Sequence, residues 1–259
     1  MTSVIINYCS NEKIFIDPIL IECSKFSEDI IVSYGSCLYD GRLEDLEHIK
    51  ELKVKYPFIQ FVEYKVDFSL DLKKQKGVVN RPIAYWHNLA RYTAIKYLKN
   101  KEWVFVIDVD EIPEGDRVKE WLSKTNLNKR NCYKMANYWY FKDPTNQATT
   151  IEDSVLLIHS DYLTEFTIFG DLERDHLIPA SACILKRQVM GLDDKPMWYH
   201  FSGVRTKEGL RHKLKSWGHS SEYKNVDHII DHIYKDSEVH DVIHNYSYIK
   251  VPNKFNIIV

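Results

Sequence analysis

Apolar positions along the chain follow two periods. Four short runs, Ser3 to Tyr8, Asp29 to Tyr34, Phe58 to Val66 and Trp103 to Asp108, are rich in β-branched and aromatic residues and are bounded by polar or glycine-bearing stretches. They read as strands, and the continuous apolar run from Trp103 as one buried on both faces. Between them lie helical patterns: Ile14 to Phe26, a charged one from Leu43 to Lys55 that Pro57 ends, and one opened by Arg81-Pro82. In the last, Ala84, Leu89, Ala90, Ala94, Ile95 and Leu98 form one apolar stripe. Strand and helix alternating in this way specify an α/β fold with a parallel sheet and right-handed crossovers. Ligands bind such sheets outside the carboxyl ends of the strands, so the tips after Tyr8, after Tyr34, around Asp67 and at Asp108 are expected to line one crevice. The polar stretch from Asp67 to Asn80 has no strong periodicity and reads as a long connection, with an active-site flap as the other reading.

The pattern changes after Pro113. Gly115 to Lys124 reads as a short helix, and Cys132 to Phe141, Val155 to Ser160 and Ala182 to Arg187 read as short strands. Such pieces are expected as antiparallel additions to the same sheet. The stretch from His212 to His244 is rich in His and Asp on a helical background. No internal repeat and no linker rich in Gly, Ser or Pro marks a boundary. One domain is expected, residues 1–112 forming its first half and 113–259 its second.

Composition narrows the class. The 259 residues are 44% hydrophobic and 28% charged, which suits a globular protein with a sizeable core. A formal charge of −2 gives no electrostatic case for nucleic acid as a partner. Cys9, Cys23, Cys37, Cys132 and Cys183 are odd in number and contain no Cys-x-x-Cys pair, which argues against a disulfide framework and for a reducing compartment. The chain opens directly into a strand pattern without a secretory signal, and nowhere do about 18 apolar residues follow one another. A cytoplasmic protein with no transmembrane segment is expected.

The candidate chemistry gathers at Trp103 to Pro113, an apolar run ending in Asp108, Asp110 and Glu111. Residues two apart in an extended chain point the same way, so Asp108 and Asp110 can converge on one divalent cation. At the end of a central strand such a pair suits either a hard metal on a phosphorylated substrate or a nucleophile and acid in phosphoryl transfer. The plainer alternative is a capped turn, with Asp110 or Glu111 meeting the helix that follows Pro113.

The βαβ opening, the helix bearing Asn88 and Arg91, the word Trp103-Val104-Phe105-Val106-Ile107-Asp108-Val109-Asp110-Glu111 and the later word Trp198-Tyr199-His200-Phe201-Ser202-Gly203 together resemble a nucleotide-sugar glycosyltransferase of the GT-A fold, of the Asp-x-Asp type. The resemblance implies a Rossmann-like mixed sheet flanked by helices, a nucleotide-sugar donor, with a UDP-sugar expected, and a glycan or glycoprotein acceptor. It implies Mn²⁺, or Mg²⁺, on Asp110, with Asp108 on the metal, its water shell or the donor ribose, and His200 completing the shell. An imidazole ligand favours Mn²⁺. His219 is the reserve, and a histidine packed under Trp198 is the plainer reading of His200.

The same resemblance places the base and ribose near Tyr8, Cys9, Asn11, Tyr34, Gly35 and Asp67, and gives Arg81, Asn88 and Arg91 to ribose or phosphate. Lys213 is the first choice for a phosphate clamp in a cluster with Arg205, Lys207, Arg211 and Lys215, whose plainer reading is a solvated helix face. For an inverting reaction, the expected course, the general base falls to Asp171 or Glu173, with Asp175, Glu152 and Asp153 as further candidates. Two rivals remain. A haloacid-dehalogenase-type phosphatase would use Asp108 as nucleophile, Asp110 as acid and Asp193-Asp194 as metal ligands, although three strand-helix units precede the motif and Ile112 stands where Thr or Val is expected. A non-catalytic sugar-binding module is the other.

Overall fold

The computed structural model describes residues 2–71, 84–99, 102–169, 174, 183–216, 225–235 and 238–259. The first half is built as expected. Strands β1 (Thr2–Tyr8), β2 (Asp29–Gly35), β3 (Gln60–Tyr64) and β4 (Trp103–Asp108) lie parallel in the order β3-β2-β1-β4. Alternation along β1 divides two cores. Val4 and Ile6 join Phe15, Ile16, Ile19 and Leu20 of helix α1 (Lys13–Cys23) and Ile49 and Leu52 of helix α2 (Leu46–Lys55). Ile5 faces the other side, with Ala94 of helix α3 (Ala84–Ile95) and with Val104 and Val106 of β4. A run without polar alternation is therefore required, because both faces of the strand are covered. Helix α2 starts three residues later than the periodicity suggests. Leu43 forms a bridge with Cys37, and Asp45 then caps the helix by accepting from the His48 N–H at 3.1 Å.

The second half extends the same sheet. It contains β5 (Glu111–Pro113), helix α4 (Gly115–Lys124), β6 (Asn131–Phe141), β7 (Asn146–His159), the short helix α5 (Glu165–Phe169), β8 (Ile184–Val189), β9 (Trp198–Gly203), helices α6 (Lys207–Ser216) and α7 (Val226–Ile233), and β10 (Tyr248–Lys250). The ten strands make one mixed sheet with the path β3-β2-β1-β4-β7-β6-β9-β5, β10 adding to β7 and β8 to β6. The protein is thus α/β, a mixed sheet flanked by helices, and the two halves share it.

The expectation of purely antiparallel additions needs correction. β7 is antiparallel to β4 and β6, but β8 and β9 both run parallel to β6. β8 pairs near the start of β6, at Asn131 to Met135, and β9 near its end, at Asn137 to Phe141. Residues 190–197 carry the chain forward along β6 instead of reversing it, so both segments must share its direction. β7 is also longer than Val155 to Ser160, since its polar first part pairs with β6 and β10 without any apolar signal. No described helix is long and apolar enough to cross a membrane.

Candidate active site

The carboxyl ends of β1, β2 and β4 open onto a cavity of about 380 Å³. β4 stops at Asp108, the Val109 N–H donates to the Asn7 carbonyl at 3.2 Å, and the chain enters β5 at Glu111. Asp108 and Asp110 both line the cavity, as their spacing implied. Glu111 turns inward and is fully buried. Both its oxygens are held by the Arg174 guanidinium at 2.6 and 2.7 Å, and Oε2 also accepts from the Asp108 N–H at 2.7 Å. The third carboxylate is therefore a buried ion pair that fixes the turn beneath the other two. Burial pushes the Glu111 pKa up, but Arg174 outweighs it and holds the carboxyl below the usual range.

Asp110 lies at the centre of a four-charge cluster. Its Oδ2 accepts from Lys213 Nζ at 2.7 Å and Arg205 Nη2 at 3.2 Å, and the same two cations reach Glu12 Oε1 at 3.0 and 2.6 Å. Arg205 is held from behind, donating to the carbonyls of Phe201 and Val204 and lying over the Phe15 ring at 4.6 Å. Burial would raise the Asp110 pKa, yet Lys213, His200 and Arg205 together hold it far below the carboxylate range. Burial works to lower that of Lys213, and Asp110 and Glu12 outweigh it, so the ammonium stays charged.

The other oxygen of Asp110, Oδ1, stands 3.7 Å from His200 Nε2. That is too long for a hydrogen bond, and near the roughly 3–3.6 Å between two donors that share one ion at about 2.1 Å. His200 is braced edge-on against Trp139, ring centroids 4.7 Å apart, and does not simply pack under Trp198. Asp108 Oδ2 accepts from Arg174 Nη2 at 3.2 Å, while Oδ1 has no hydrogen-bond partner among the described residues and Arg91 lies 3.7 Å away. A carboxylate oxygen and an imidazole nitrogen at the separation of Asp110 and His200 are donors of the kind that suit Mn²⁺ or Mg²⁺. Among the described residues no group of three or more His, Cys, Asp or Glu side chains is placed to hold a metal ion, so an ion at Asp110 and His200 would take its remaining positions from water or a ligand.

The cavity is also lined by Tyr8, Gly35, Tyr39, Glu44, Tyr64 and His87. Glu44 Oε1 accepts from the N–H groups of Ser10 and Asp45 at 3.0 and 2.9 Å, while Oε2 is buried without a partner, as is Tyr8 Oη. Gly35 is required here, since a Cβ would stand 2.7 Å from the Cys37 carbonyl oxygen. The glycine of the later word has a packing reason instead: a Cβ on Gly203 would lie 2.2 Å from Phe141 Cδ2.

Of the residues singled out in the sequence, Tyr8, Cys9, Asn11, Gly35, Asp108, Asp110, Asp153, His200, Arg205 and Lys213 come together at the cavity, and Glu152 does not line it. Nor do Tyr34 and Asp67. Tyr34 packs in the core and its hydroxyl accepts from Lys53 at 3.2 Å, and half-buried Asp67 caps a turn at Ser69. Asn88 and Arg91 are buried behind the site, Arg91 near Asp108, and neither lines the cavity. Arg81, Asp171, Glu173, Asp175 and His219 lie outside the described residues. Asp193 is engaged by Arg117, and neither it nor Asp194 lines the cavity. Sequence reasoning missed Glu12, Glu44 and Arg174. Glu12 was in view, in the polar Ser10-Asn11-Glu12-Lys13 step at the end of β1, but Arg174 comes from a segment without periodicity and had no signal.

No family model matches the chain, and neither does any curated protein. Among solved structures, the chain is similar to the inositol-1-phosphate CTP transferase from T. maritima at 12% identity and a TM-score of 0.44, covering 81% of this chain and 94% of that one. It is also similar to S. aureus TarS 1-349, at 13% identity and a TM-score of 0.43, covering 91% and 72% respectively. The glycosyltransferase GlyE in Streptococcus pneumoniae TIGR4 matches at 11% identity and a TM-score of 0.44, over 90% of this chain and 63% of that one.

Proposed function

We propose that this chain is a glycosyltransferase that moves a sugar from a nucleoside diphosphate, a UDP-sugar first, to a hydroxyl of a glycan or glycoprotein acceptor, with inversion. The observation that carries the reading is a set of buried polar atoms without hydrogen-bond partners among the described residues, all on residues that line one cavity: Tyr8 Oη, Glu44 Oε2, Asp108 Oδ1 and His200 Nδ1. Buried polar groups of this kind are expensive unless a ligand or water completes them. Their mix of hydroxyl, carboxylate and imidazole atoms, beside the cations Lys213 and Arg205, suits a molecule that carries both a hydrogen-bonding base and an anionic group. The Asp-Val-Asp-Glu word and its place at the rim of a parallel sheet support the same assignment.

Asp108, Asp110 and His200 would hold Mn²⁺ or Mg²⁺, which supplies positive charge for the departing diphosphate. Lys213 and Arg205, already converged on Asp110 and Glu12, are placed to hold diphosphate oxygens. Arg174 and Glu111 keep Asp108 in position from below. The phosphatase reading is weaker, because its supposed metal ligands, Asp193 and Asp194, do not line the cavity.

Thermal unfolding with UDP-sugars and GDP-sugars, with and without Mn²⁺, tests the assignment. A ligand at about 100 times its Kd adds roughly 2.7 kcal/mol, a rise of about 5–10 °C for a chain of this size. Asp110→Asn is expected to remove the Mn²⁺-dependent part of the rise. Absence of any rise with either nucleotide would end the proposal.

A further inference from the structure

Irregularities in β6, β7 and β8 converge on a carboxylate that the donor site does not use. Opposite β6, Met135 pairs with Val155 and Ala136 with Asp153, so Ser154 is an extra, bulged residue in β7. Opposite the start of β6, Tyr133 pairs with Lys186 and Met135 with Val189, a second irregularity, inside which Gln188 is left-handed at φ 49°. A non-glycine residue adopts that conformation only where its surroundings hold it there. The second distortion holds Asp153, and the first lies directly beside it. Its Oδ2 accepts from the Gln188 N–H and from Arg187 Nε, each at 3.0 Å, and its Oδ1 accepts from Arg187 Nη2 at 2.6 Å. Bulges commonly re-aim a side chain beside an active site.

Asp153 is the partition between two hollows. On one side is the cavity that Asp108, Arg174 and His200 also line, and on the other an open groove formed with Glu152, Arg187 and Gln188. Its side chain is only 5% exposed, whereas that of Arg187 is 53% exposed. Oδ1 accepts one hydrogen bond among the described residues and so keeps a lone pair for another donor. The four residues that line the groove are two carboxylates, a guanidinium and an amide, whose aliphatic stems share the surface with their polar ends, which suits uncharged hydroxyl-bearing chains better than an anionic acceptor.

We propose that this groove is the acceptor subsite for a neutral carbohydrate and that Asp153 is the base, an assignment that rests on the glycosyltransferase reading above. The acceptor hydroxyl oxygen bonds to the anomeric carbon of the donor sugar. The bond from that carbon to the diphosphate oxygen breaks with its electron pair leaving on the diphosphate, and the hydroxyl proton passes to Asp153 Oδ1.

The test uses the full chain with Mn²⁺ and UDP-glucose, UDP-galactose or UDP-N-acetylglucosamine, reading UDP release and sugar transfer to water and to free mono- and disaccharides. Asp153→Asn is expected to keep the melting rise with UDP and to lose about 10²–10⁴-fold in transfer rate. Asp153→Ala is expected to recover turnover several-fold with added formate and not with chloride, which a purely structural role would not do. Should either variant fail to fold, Arg187→Ala, an exposed change, is expected to lower kcat while leaving the donor KM unchanged. Transfer at the wild-type rate in Asp153→Asn, loss of its UDP-dependent rise, absence of formate rescue in folded Asp153→Ala, or an unchanged kcat in Arg187→Ala would each overturn the assignment. In those cases the wild type still binds nucleotide and the wider reading stands; a wild type that binds no nucleotide removes both.

Discussion

The two halves of the sheet bring mostly opposite charges to one cavity. From the first come Glu12, Glu44, Asp108 and Asp110, with Glu111 buried beneath them, set at the tips of parallel strands or in the turns that follow them; from the second come Arg174, Arg205, Lys213 and His200, and one carboxylate, Asp153. Among the described residues of the first half, buried Arg91 lies close by, 3.7 Å from Asp108. Neither set is tolerable alone at these depths, since an isolated buried charge costs several kcal/mol. The joint between the halves is thus electrostatic as well as apolar, and the diphosphate-binding chemistry proposed here uses charges that folding has already brought together.

The largest effect should come from breaking that joint at its driest pair. Glu111 and Arg174 have side chains 1% and 9% exposed, so Glu111→Ala or Arg174→Ala is expected to lower stability by about 3–5 kcal/mol, read as a loss of urea midpoint without a change of slope. A wild-type midpoint in both variants would show that the halves are held by apolar packing alone.

Acid should sharpen the comparison at intermediate size. Asp110 and Glu111 have folded pKa values below their unfolded ones, so the unfolded chain binds protons first as the pH falls. Their stabilisation is complete above the unfolded value and is lost on acidification, for Glu111 from 4.5 down to about 2. Glu111→Gln should flatten the acid limb of a melting-temperature profile over that window, and an unchanged limb would assign acid unfolding to other carboxylates.

The smallest effect is expected away from the joint. Glu47 and Lys50 form a surface pair with side chains 80% and 68% exposed, and Glu47→Ala should move the melting temperature by less than about 2 °C. A larger shift would mean that charge pairing stabilises this protein generally and not at the cavity in particular.

Much of the first half was legible because its elements follow single, uninterrupted periods. The run Trp103 to Asp108 could only be a strand covered on both faces, and the carboxylates after it could only fall at its carboxyl end. Parts of the second half were less legible for a physical reason. β7 begins in polar residues that pair through the backbone alone, and the directions of β8 and β9 depend on where residues 190–197 lead, which leaves no trace in hydropathy. Tyr34 and Asp67 sat at strand tips as expected, but core packing and a local turn took their side chains.

By itself the amino-acid sequence determined the parallel layer, the side of it on which a ligand would bind, and the acidic rim with His200 as a candidate neighbour, because strand periodicity and side-chain alternation are local properties. Only the tertiary structure decided that Arg174 neutralises Glu111, that Lys213 and Arg205 share Asp110 with Glu12, and that two distorted strands present Asp153. Those pairings join residues from 63 to 201 positions apart, apart from the Asp153 contact at 35, and such partners are chosen by how the layers pack and not by any pattern along the chain.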